Sequence, residues 1–216
     1  IAVMPLYYKT DSYGEFVFDW GWAEAYSRHG LDYYPKLVTA IPYSPVAGPR
    51  LGLAATADPV EVVTALLHAI HQLAEKQSCS GWHLLFAGRR LQNVLVEMKD
   101  EGAFLHREAV QFHWFNRDYQ SFDDFLASFR SSRRKNLKRE RRHVAEVGVT
   151  MQRKTGAEIS DEEWDGFYQC YMSTYRKRSG HDGYLNRQFF ELLKENMADK
   201  LMLVVARQDD KVVASS

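Results

Sequence analysis

The residues with the clearest chemical potential form one run, Arg130-Ser-Ser-Arg-Arg-Lys-Asn-Leu-Lys-Arg-Glu-Arg-Arg142. It holds eight of the 28 Lys and Arg residues and a single acid, Glu140. The remainder carries 20 bases against 27 acids, so a formally neutral chain is a −7 body around a +7 segment. Such asymmetry points to an anionic partner. On a helical wheel Arg130, Arg134, Lys135, Lys138, Arg139, Arg141 and Arg142 share one half, and Phe122, Leu126, Phe129, Leu137, Val144 and Val147 share the other. Eight like-charge pairs at i,i+3 or i,i+4 each cost about 0.2–0.5 kcal/mol before screening. Phosphates lying across the face would remove that cost and release counterions. A solvated face, or one docked on the acidic body, is the alternative.

Glu140 has no Lys or Arg three or four residues away and falls on the apolar side with Arg133, flanking Leu137. Two readings follow: a partly buried ion pair with another element, or a site carboxylate whose pKa desolvation raises toward that of a general base. Further along, Trp164, Phe167, Tyr168, Tyr171, Tyr175 and Arg178 line one helix face. That stripe is either core or a set of phenols, with Tyr175 foremost, facing a cleft. His181 beside Asp182 is an acid–base candidate, although neighbours in a turn seldom form a catalytic pair.

Other motifs carry less. His68 and His71 share a helix face without a third ligand, so no metal site is expected. There is no G-x-S-x-G, Walker loop or H-E-x-x-H. The loop Val46-Ala-Gly-Pro-Arg50 is a poor pyrophosphate cradle: its prolines lack N–H donors, and Asp58 and Glu61 would repel an anion. Arg50 remains a candidate anion contact.

The elements that must position these residues follow an α/β order. Ile1–Tyr8 reads as an apolar strand. Phe16, Phe18, Trp20 and Trp22 alternate with Glu15, Val17 and Asp19 as a second strand. A Pro/Gly-rich loop, 41–50, leads to a helix capped by Asp58, with Pro59 in its first turn. Trp82–Ala87 reads as a strand, Arg90–Lys99 as a helix ending near Gly102, and Phe104–Phe115 as a strand or tight hairpin. A helix from Ser121 to Val147 is expected, with Ser131-Ser132 a candidate break. Ser160-Asp-Glu-Glu163 is a capping box for a helix ending before Gly180. Asn186 caps another helix through Met197, and Leu201–Ser216 opens a hairpin around Asp209-Asp210.

An apolar content of 45% and an aromatic content of 13% indicate a globular chain. Two unpaired cysteines, Cys79 and Cys170, suit a reducing compartment. No apolar run approaches the roughly 20 residues of a spanning helix, so a cytoplasmic protein with no membrane span is expected. Ile1 at the start and a strand interrupted at Ser216 predict a chain cut at both ends.

The order of elements from Ile1 to Phe115 resembles the GNAT acetyltransferase fold. The run Trp114-Phe-Asn-Arg-Asp-Tyr-Gln-Ser-Phe-Asp-Asp-Phe-Leu-Ala127, with Arg133–Arg141 and Tyr184-Leu-Asn-Arg-Gln-Phe-Phe190, resembles the FemAB-like relatives of the FemABX peptidyltransferases. The resemblance implies a mixed α/β chain of tandem GNAT-like domains with a cleft between them. Residues 1–118 would form the first domain, 119–148 the basic interdomain helix, and 149–216 the start of a truncated second domain. It also implies transfer of an aminoacyl or acyl group from a phosphate-rich donor, aminoacyl-tRNA or acyl-CoA, to an amine acceptor such as a peptidoglycan precursor. Arg134, Lys135, Lys138, Arg139, Arg142, Arg178 and Arg50 are then the candidate phosphate contacts, and Glu140, His181 and Tyr175 the catalytic candidates. The competing expectation is a non-catalytic module that binds RNA or an anionic cell-wall precursor.

Overall fold

A computed structural model describes residues 1–98 and 104–216 as two compact units, Ile1–Ala109 and Val110–Ser216. Lys99 and Gly102, the expected end of a helix, lie outside the described residues.

The first unit begins with two short strands, β1 (Ala2–Val3) and β2 (Tyr7–Lys9), in different sheets. The single strand expected over Ile1–Tyr8 is interrupted around Pro5, which has no N–H for a ladder. Next come α1 (Trp20–Arg28), β3 (Lys36–Thr39), β4 (Gly52–Leu53), α2 (Pro59–Lys76), β5 (Trp82–Leu84) and α3 (Arg89–Glu97). β3 is central, antiparallel to β2 and parallel to β5, while β1 pairs with β4. Asp58 caps α2 as expected: its Oδ1 accepts from the Val60 and Glu61 amides at 2.9 Å. One face of β3 sets Leu37 against Ile70 and Ala74 of α2, and the other joins Val38 to Ala40 and Leu85.

The segment 16–22 is not a strand. Phe16 has φ 58°, which breaks the extended run, and Trp20 already opens α1. The alternation is real but inverted: Phe16, Phe18, Trp20 and Trp22 are exposed, whereas Glu15 and Asp19 are buried. The carboxylates turn inward because a buried ammonium, Lys36, lies there to receive them.

The second unit contains α4 (Phe122–Ala127), α5 (Ser131–Glu146), β6 (Thr150–Thr155), α6 (Asp161–Ser179), α7 (Arg187–Met197), β7 (Met202–Gln208) and β8 (Lys211–Ser215). Its antiparallel sheet has the order β6-β7-β8. Ile159, Trp164, Leu203 and Val205 form the core. The Ser160/Glu163 capping box, left-handed Gly180, and Asn186 cap all form where the sequence places them. Asp209 and Asp210, with φ 49° and 61°, make the two-residue turn of the β7–β8 hairpin.

The helix over 121–147 divides before Ser131 into α4 and α5, beside the candidate break at Ser131-Ser132. Another expectation changes. Phe104–Phe115 forms no strand: its backbone joins no ladder, and Phe112 is 97% exposed. Alternation alone cannot supply the neighbouring strand that a ladder requires.

Candidate functional site

The basic run occupies α5, with Arg130 at its N-cap position and Gly148, at φ 76°, just beyond its end. The short α4 packs back along it. Lys138 pairs with Asp123 at 3.0 Å, Arg141 lies 4.2 Å over the Phe122 ring, and Arg134 reaches the Ala127 carbonyl at 3.5 Å. Part of the cationic face is thus answered by the chain itself. Among the described residues, Arg133, Lys135, Arg139 and Arg142 have no carboxylate partner and are exposed.

α5 has no fully buried residue. Glu140 is exposed rather than turned into the protein. It lines a shallow groove on the helix surface with Arg139, Arg142, His143 and Glu146. The break before Ser131 keeps Arg133 and Glu140 on one helix, but neither is buried.

Tyr175 and His181 do come together. Their rings are 5.4 Å apart in a cluster with Tyr171, Tyr184 and Phe190. The Tyr171 hydroxyl accepts from the Tyr184 and Leu185 amides, both at 3.0 Å, and so holds the turn after α6. His181 Nδ1 accepts from the Gly183 amide at 3.0 Å, which leaves the proton of the neutral ring on Nε2. Burial, followed by the neighbouring phenols Tyr171 and Tyr184, pushes the Tyr175 hydroxyl up, so it remains protonated and can donate. Asp182 pairs with Arg176 rather than His181, and Arg178 is exposed. No hydrogen bond or ion pair joins Glu140 to this cluster among the described residues.

Arg50 requires correction. It is 2% exposed and donates to the Leu85, Pro49 and Val46 carbonyls at 3.0, 3.2 and 2.7 Å. Those bonds tie the Pro-rich loop to the sheet and leave no open anion contact. His68 and His71 lie beside Gln72 and Glu75 of their own helix.

Sequence reasoning missed a buried polar constellation in the first unit. Lys36 Nζ donates to Asp19 Oδ2 at 2.6 Å, and to Glu15 Oε2 and Ser12 Oγ at 2.8 Å. Its ammonium lies 5.6 and 5.8 Å from the Tyr33 and Tyr34 ring centres. His83 Nδ1 is 3.7 Å from Asp19 Oδ2, and Arg107 Nη1 is 3.0 Å from Oδ1. Burial pushes the Asp19 carboxyl up, but its hydrogen bond to Lys36 and the Lys36 charge outweigh this and hold it below the ordinary value. Burial, then the charge of Lys36, lowers the His83 imidazole despite Asp19. The available signal was a lysine opening the apolar run Lys36-Leu-Val-Thr-Ala-Ile41.

Both units are mixed α/β, the second bearing an exposed cationic helix and the first a buried charge cluster. A family model of FemAB-like proteins, described as peptidoglycan biosynthesis/recognition, matches residues 1–216, and the chain belongs to that family. No curated protein and no solved structure matches it. The family places the chain in the setting of peptidoglycan biosynthesis or recognition, where transferase activity is typical. Among the described residues, no helix is long and apolar enough to cross a membrane.

Proposed function

We propose that the chain is part of an acyltransferase that moves an aminoacyl or acyl group from a phosphate-rich donor to an amine, in cytoplasmic assembly of a peptidoglycan precursor. The observation that carries this reading is the exposed set Arg133, Lys135, Arg139 and Arg142 on α5, unanswered by carboxylates among the described residues, in a FemAB-like chain. Aminoacyl-tRNA and acyl-CoA both present the phosphates that such a face attracts. Tandem GNAT-like domains, divided at about 118 and 148, are the architecture that this reading favours.

In this mechanism Arg134, Lys135, Lys138, Arg139, Arg142 and Arg178 hold donor or acceptor phosphates. The acceptor amine loses a proton to Glu140, or to His181 once its Nδ1 is released from the Gly183 amide, and attacks the activated carbonyl, while Tyr175, kept protonated, donates to the developing oxyanion or leaving group. The test is transfer by the complete protein, with labelled aminoacyl-tRNA and acyl-CoA offered separately to peptidoglycan precursors. Transfer from one donor supports the reading; silence with both overturns it.

A binding module is favoured by a different observation. Among the described residues, Glu140 is exposed and makes no hydrogen bond or ion pair with Tyr175 or His181. Salt-sensitive binding of RNA or a cell-wall precursor without turnover would establish that alternative.

A further inference from the structure

The buried cluster of the first unit is saturated inside and incomplete at its edge. Three acceptors, Ser12 Oγ, Glu15 Oε2 and Asp19 Oδ2, use all three Lys36 ammonium protons. Two carboxylates around one ammonium leave a net negative charge, so the other two carboxylate oxygens need donors from outside. Among the described residues, Glu15 Oε1 is buried without a hydrogen-bond partner, with Lys9 Nζ 3.6 Å away. Asp19 Oδ1 is answered by Arg107 Nη1 at 3.0 Å, while Arg107 Nη2 donates to the Phe18 carbonyl at 3.2 Å.

Arg107 is an unusual partner for a carboxylate that is 1% exposed, because its own side chain is 50% exposed. Of residues 104–109, it alone hydrogen-bonds or ion-pairs with the described residues of this unit. The segment is exposed and belongs to no ladder or helix. Arg50 provides the internal contrast: a buried guanidinium with three carbonyl partners, locked by the loop around it. Asp19 Oδ1 and the Phe18 carbonyl therefore form a two-acceptor seat filled by a group that one side-chain movement would remove.

We propose that Asp19 Oδ1 and the Phe18 carbonyl recognise a guanidinium or primary ammonium group of a ligand, with Arg107 as the intramolecular occupant that the ligand displaces. The exchange replaces like with like: an incoming cation makes the same two hydrogen bonds and keeps the cluster neutralised. Arg107 then lowers the apparent affinity by the fraction of time it fills the seat. The neighbouring His83 ring reports the exchange, since it faces the same carboxylate and is influenced by the charge of Arg107.

The test follows the His83 imidazole resonances of the full chain while methylguanidinium or ethylammonium is added. Tetramethylammonium, a cation without N–H donors, is the control. Saturable shifts are expected in Arg107→Ala, with wild type saturating at roughly 10–100-fold higher concentration and tetramethylammonium giving no shift in either. Asp19→Asn in the Arg107→Ala background should abolish the response. If that double variant does not fold, the tetramethylammonium comparison alone decides hydrogen-bonded recognition. Equal shifts with tetramethylammonium, or none in a folded Arg107→Ala protein, overturn the site. An unresponsive wild type at 1,000 times the variant's dissociation constant, a ratio of about 4 kcal/mol, makes Arg107 a permanent structural partner and also overturns the proposal. Neither probe nor readout involves acyl transfer, so this result is independent of the reading above.

Discussion

Lys36 Nζ lies 2.6 Å from Asp19 Oδ2, with the two side chains 0% and 1% exposed. Removing the ammonium would leave Asp19 and Glu15 as buried carboxylates facing each other. Lys36→Met is expected to cost about 3–5 kcal/mol in urea denaturation. Adding Asp19→Asn and Glu15→Gln should recover part of that loss. A Lys36→Met protein of wild-type stability would show that the charges find water instead.

Glu163 fills a corresponding role in the second unit, accepting from Lys154 at 2.6 Å and Arg207 at 3.2 Å while closing the α6 capping box. Burial pushes its carboxyl up, but hydrogen bonds from Lys154, the Ser160 amide and Arg207 outweigh this and hold the pKa at about 2. Because the folded pKa is depressed, the stabilisation is complete above the ordinary value of 4.5 and is lost as pH falls toward about 2. Glu163→Gln keeps a side chain able to cap Ser160 but removes the charge. It should flatten the pH dependence of stability across that window, as measured by thermal melts in a buffer series.

On α5, replacing Lys135, Arg139 and Arg142 with Gln should weaken polyanion binding and reduce the log–log salt slope by about 2. Single-stranded RNA titrated from low to moderate salt provides the measurement. Lys138→Gln should have a smaller effect, because Asp123 already neutralises Lys138 at 3.0 Å. Equal slopes for the triple variant and wild type would assign the face to solvent.

Gly166 of α6 faces β8. A Cβ there would meet Val212 Cγ1 at 2.7 Å and its Cβ at 2.9 Å. Gly166→Ala should therefore cost about 1–3 kcal/mol by urea denaturation, and Val212→Ala in the same protein should relieve the clash. Lack of relief would place the cost in the helix backbone.

Local chemistry was legible where one segment carries its own answer. Asp58, Ser160 with Glu163, Gly180 and Asn186 mark helix ends because their bonds close within a few residues. Alternation at Phe16–Trp22 misled because period 2 identifies two sides without saying which is buried. At Phe104–Phe115 it misled because a strand exists only with a partner. The candidate site divides similarly. α5 was visible as charge density, and Tyr175 with His181 as a helix face leading into a turn. The exposure of Glu140 and the capture of Arg50 by three carbonyls were not visible.

The sequence alone determined the cationic helix, the α/β order and the FemAB-like resemblance, since all three depend on composition, local spacing and motifs. Only the tertiary structure joined Ser12, Glu15, Asp19, Lys36, His83 and Arg107 around one buried charge cluster. The physical reason is that buried charges must find partners wherever the chain can bring them, and those partners here span nearly the whole first unit.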